Sequence, residues 1–90
     1  MIRLTQLNEA EEIQFNQLDP QRKKQVMAFE KIIGGENTQI FQGIHGYIVD
    51  IEARQTMGNG YRLEADDMKK LVSLRVRWVE IDNEIVTIAF

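Results

Sequence analysis

The sequence predicts a small two-layer α+β domain. Its expected core is an antiparallel sheet of three to five strands with a C-terminal hairpin, one amphipathic helix at about 20–33 packed on one face, and a short helix near 65–72. Three observations predict it. Asp19-Pro20 and Gly34-Gly35 bracket an apolar pattern of helical period. Residues 47–54 alternate apolar and polar side chains with the period of a half-buried strand. Two β-rich runs close the chain around Asp82-Asn83, residue types that tolerate the positive φ of a hairpin turn.

Taken in order, Met1 to Leu7 has apolar residues at 2, 4 and 7 and reads as a short strand or extended arm. Asn8 and Glu11 have the spacing of a capping box, while Ile13 and Phe15 alternate as in a strand; residues 8–18 lean to helix. Asp19 is the N-cap of the main helix and Pro20 its first residue, where the missing N–H costs nothing. Val26, Phe29 and Ile33 form the buried stripe with Met27 and Ile32 alongside, and Gly34 supplies the left-handed stop. Glu36 to Thr38 reads as a turn, Gln39 to Gln42 as extended, and Gly43 to Gly46 as a break.

Tyr47, Val49, Ile51 and Ala53 then face inward, leaving Asp50 and Glu52 outward. Thr56 to Gly60 is a glycine-rich loop. Tyr61 and Leu63 alternate briefly. Asp66 and Asp67 open the short helix and Lys69 and Lys70 stand near its end, a charge order that suits the helix dipole; Met68, Leu71 and Val72 are its expected buried side. Leu74, Val76 and Trp78 alternate with Arg75, Arg77 and Val79, which assigns Trp78 to the core and the two arginines to the outside. In a two-layer domain the second sheet face stays open.

The 90 residues make a single domain, 1–90, too small for a large enclosed cavity. Hydrophobic residues at 43% and charged residues at 28% are globular values and argue against disorder. There is no cysteine, so disulfides and thiolate metal sites are excluded. The longest apolar run, Val26 to Phe29, is too short for a membrane span or signal-peptide core, so the expected location is the cytoplasm with no membrane partner. The net charge of −3 gives no bulk attraction to phosphate. Sheet edges and helix faces left bare in so small a domain suit a second copy, so a homodimer is a natural expectation.

Few residues carry chemistry. His45 is the one histidine and lies between Gly43 and Gly46, an expected exposed turn; no catalytic, metal or cofactor site is expected around it. Gly43-Ile44-His45-Gly46 matches the letters GXXG, but a strand follows directly and the inner residues are not basic, unlike a backbone-clamping KH loop. Gly58-Asn59-Gly60 lacks the third glycine and the following helix of a dinucleotide fingerprint. The acidic groups Glu9/Glu11/Glu12, Asp50/Glu52 and Glu64/Asp66/Asp67 have no EF-hand spacing and read as solvated charge and helix caps. Ser73 is the lone serine, with no histidine near it in sequence.

The leading expectation is a non-enzymatic protein-interaction module, a small regulator or inhibitor of one protein target. Its interface candidates are the loop residues Met57, Asn59 and Tyr61, the outward Arg75 and Arg77, and Trp78 where exposed. The small size, the Met1 start and the end at Phe90 suit a short stand-alone gene product of the kind phages and plasmids encode. The alternative is nucleic-acid binding through a local basic patch of Arg22, Lys23, Lys24, Arg75 and Arg77. The third is a small-ligand or enzyme module centred on His45.

Overall fold

The computed structural model describes residues 11–54 and 60–90. Its elements are β1 (Glu11–Ile13), a single 3-10 turn (Phe15–Gln17), α1 (Pro20–Ile33), β2 (Gly35–Gly43), β3 (Gly46–Ala53), α2 (Ala65–Ser73), β4 (Trp78–Asp82) and β5 (Ile85–Ala89). The strands form one antiparallel sheet in the order β1-β2-β3-β5-β4, so the last strand is inserted beside β3 and the hairpin partner β4 lies at the edge.

The main helix forms as the sequence predicts. The Asp19 carboxylate accepts the Arg22 backbone N–H at 2.9 Å, capping the first turn. Gly34 ends the helix in the left-handed region at φ 67° and donates its N–H to the Glu30 carbonyl. Val26, Phe29 and Ile33 are buried, whereas Met27, one step round the helix, is 59% exposed and is not part of the core stripe.

Cross-strand register explains where the core sits. Directly opposed residues share a face. Ile13, Ile40, Val49, Ile88 and Val79 align in one row across all five strands. This row, with Ile51, Val86 and Phe90, packs under Val26, Phe29 and Ile33 of α1 and Leu71 of α2. Phe29 meets Phe90 edge to face, centroids 5.1 Å apart, and Phe90 stacks on Tyr47 at 5.7 Å.

The other face carries the row Glu12, Phe41, Ile48, Ala89 and Trp78, followed by Gln39, Asp50, Thr87 and Glu80. No described helix lies on it, yet Ile48, Asp50, Thr87 and Ala89 are buried. The centre of this face is therefore not the open surface expected, and Asp50 does not look out to water.

Five further expectations are corrected. Residues 11–17 are strand and 3-10 turn, not helix, because the Ile13–Ile40 pairing claims the segment for the sheet edge; the first ten residues lie outside the described ones. Glu36 to Thr38 belongs to β2, with a register shift between Glu36 and Gln39 and Asn37 at φ 54° absorbing the extra residue. The C-terminal turn is Asn83-Glu84, because Asp82 still pairs with Ile85 and Asn83 takes the positive φ of 58°. In α2 only Leu71 is buried, and Met68 and Val72 are exposed, because the helix turns its Asp67, Lys70 and Leu74 side toward α1. Trp78 lies on the face away from the helices: Leu74 and Val76 pack against the core, but Val79 rather than Trp78 continues the core row, so the alternation shifts between Val76 and β4.

Candidate functional site

The basic residues singled out in the sequence sit on two segments about fifty positions apart, and the fold brings most of them to one end of the domain. Three contacts make the junction. The Gln25 side-chain amide donates to the Leu74 carbonyl at 2.8 Å, tying the second turn of α1 to the segment after α2. Lys24 and Arg75 then line one shallow cavity of about 230 Å³ with Gln21, Gln25, Ser73 and Leu74. Arg77 donates its backbone N–H to the Ala89 carbonyl at 2.7 Å, which fixes it beside the end of β5.

The β2–β3 turn completes this end. Ile44 and His45 form its two-residue tip between the paired Gly43 and Gly46. Gly46 is required as glycine: at φ 142°, an added Cβ would come within 2.6 Å of the Phe90 carbonyl oxygen and 3.2 Å of Arg77 Nη2. The Arg77 guanidinium therefore covers the base of the turn. Next to it, the Arg22 guanidinium lies 4.8 Å from the centroid of the Tyr47 ring, close enough for a cation–π attraction.

Arg22 also pairs with Asp19 at 2.7 Å. The Arg22 backbone N–H first, and its side chain second, hold the Asp19 carboxyl below its ordinary value. Arg22 is thus oriented by one carboxylate, while Arg75 and Arg77 are exposed. Arg75 stands out for its backbone. It sits just past the Leu74 cap of α2 at φ 63°, in a region where glycine or asparagine is usual.

The other sequence candidates are not part of this cluster. Lys23 is one turn before Met27 on the side of α1 that faces β1 and β2. Tyr61 is half-buried, packs against the core and donates its N–H to the Asn83 carbonyl; burial, with Asp67 and Glu64 nearby, pushes its hydroxyl up. Met57 and Asn59 lie outside the described residues. Trp78 is half-buried on the far sheet face.

Catalytic groups are dispersed. His45 is exposed on its turn, and the Ser73 hydroxyl donates to the Lys70 carbonyl at 2.6 Å at the end of α2. Among the described residues, no three His, Asp or Glu side chains gather where they could hold a metal ion, and no helix is long and apolar enough to cross a membrane.

Two features escaped sequence reasoning. Gln25 joins the two basic segments, and nothing in its sequence neighbourhood signals that. A second concave surface lies between β1, the 3-10 turn, α1 and β2; Phe15 and Met27 are exposed along it. An apolar residue off the main helix stripe, as Met27 is, was the available sign.

No protein-family model matches this chain, and no match was found among the curated proteins or the solved structures.

Proposed function

We propose that this domain is a non-enzymatic protein-interaction module, a small regulator or inhibitor that docks an acidic surface of one protein target on the end bearing Arg22, Lys24, Arg75 and Arg77. The observation that supports it is Arg75. A non-glycine residue in the left-handed region costs about 1–2 kcal/mol, and that cost falls here on an exposed cation that shares a cavity wall with Lys24. Glycine would relieve the backbone, and an arginine in its place suits a surface where the charge is used. The same reading places the protein and its target in the cytoplasm.

Opposed charge mainly sets the encounter rate and excludes wrong partners. The test is an affinity pull-down from host extract with the intact protein and with an Arg75→Glu/Arg77→Glu variant, each with and without nuclease. One dominant protein that survives nuclease and is lost with the variant supports the reading. Equal capture by the variant rejects the basic end as the docking surface.

A second reading rests on Arg22 over the Tyr47 ring beside Arg77. Aromatic and guanidinium planes together are what single-stranded nucleic acid stacks on. Partners that vanish with nuclease, and affinity that falls steeply with salt, would favour it.

A further inference from the structure

The β2–β3 turn ends in an apolar residue held out in water. Ile44 is 75% exposed, the most exposed of the large hydrophobic side chains among the described residues, and Arg77 and Arg22 stand behind it at Gly46 and Tyr47. At the β1 edge the molecule has the converse surface. A cavity of about 470 Å³ is lined by Ile13, Phe15, Val26, Met27 and Ile40, with the carboxylate of Glu30 and no cation in its wall. Phe15 at 39% and Met27 at 59% exposure form its apolar rim. The Thr38 hydroxyl donates to Glu30 at 2.6 Å and holds that carboxylate at the mouth. The nearest cation on the same helix face, Lys23, is one turn away and does not line it.

The chain's own Ile44 does not reach this cavity. Ile44 lies five residues along β2 from Gln39, about 17 Å at the rise of an antiparallel strand. A cavity of this volume is in the range that encloses small ligands and has room for an aliphatic side chain. We infer that the occupant is a second copy of this chain, whose Ile44 tip enters the cavity while its Arg77 and Arg22 approach Glu30. The contact joins two different patches, so it is heterologous and can continue from copy to copy. It goes beyond the docking of an acidic target: the cavity is a separate surface, and the basic end is shared.

Sedimentation velocity tests this with two variants at exposed positions, Ile44→Asp and Met27→Lys, each checked for a wild-type circular dichroism spectrum. At low salt the wild-type mass is expected to rise with concentration, and to rise less at high salt, where the charges are screened. Each variant alone stays monomeric. An equimolar mixture of the two forms a heterodimer and nothing larger, because one retains the cavity and the other the tip. A wild-type protein that is monomeric at every concentration overturns the inference, as does a mixture that stays monomeric or a single variant that still associates. Loss of self-association with target capture intact would separate this inference from the docking reading.

Discussion

The Thr87 hydroxyl donates a 2.5 Å hydrogen bond to Asp50 across the two central strands, on the sheet face away from the helices. Both side chains are buried, so the bond stands where water cannot replace it. Thr87→Val keeps the shape and removes the donor. The expected loss is about 1–3 kcal/mol of stability, read as a lower urea midpoint with an unchanged slope; an unchanged midpoint would mean the bond contributes nothing.

Arg75→Gly should separate stability from binding. Relief of the left-handed backbone is expected to stabilise the fold by about 1 kcal/mol, while capture of the target weakens. A variant that gains stability and binds as well as wild type would remove Arg75 from the proposed surface.

Two groups give the fold opposite pH limits. The folded-state value of Asp19 is lowered, so its contribution is full above the ordinary carboxylate range and is lost as pH falls through the lowered value. Asp19→Asn keeps a capping side chain and should flatten the acid-side loss of stability below about pH 4. Tyr61 is raised, mainly by burial, so its ionisation favours the unfolded chain once pH rises past the ordinary tyrosine value. Tyr61→Phe should flatten the alkaline loss above about pH 10. Thermal unfolding across pH checks both, and slopes identical to wild type would discount either group.

Phe29 is the test of the core. It is fully buried between the sheet and the Phe90 ring. Phe29→Ala is expected to cost about 3–5 kcal/mol, a large share of the stability of a domain this small. Calorimetry should show a greatly lowered or absent unfolding transition, and a near-native one would place the core elsewhere.

Local chemistry made much of this fold legible. Asp19-Pro20 and Gly34 mark the main helix because capping and left-handed stops act within a turn of the chain. The alternation over β3 is equally local. The N-terminal segment carries two signals, the capping-box spacing of Asn8 and Glu11 and the strand alternation of Ile13 and Phe15, and only the pairing of Ile13 with Ile40 decides between them. Trp78 takes the unexpected face because the core row passes from Val76 to Val79, a shift that the unbroken alternation of the letters does not show. The candidate site was half legible. The basic residues are visible, but their convergence depends on Gln25 reaching Leu74, a contact between residues 49 apart, which no periodicity encodes.

The place of β5 governs the order in which the protein can be made. β2 and β3 form a hairpin early in the chain, and β4 leaves synthesis before its neighbour exists. β4 joins the rest of the sheet only through β5, which pairs with β3 over Ile48 to Glu52. Until Ala89 has left the ribosome, β3 and β4 each present an unpaired edge, and Phe29 lacks Phe90. The nascent sheet therefore stays at β1-β2-β3 until β5 joins β4 to it, and over that interval its open edges are exposed to mispairing.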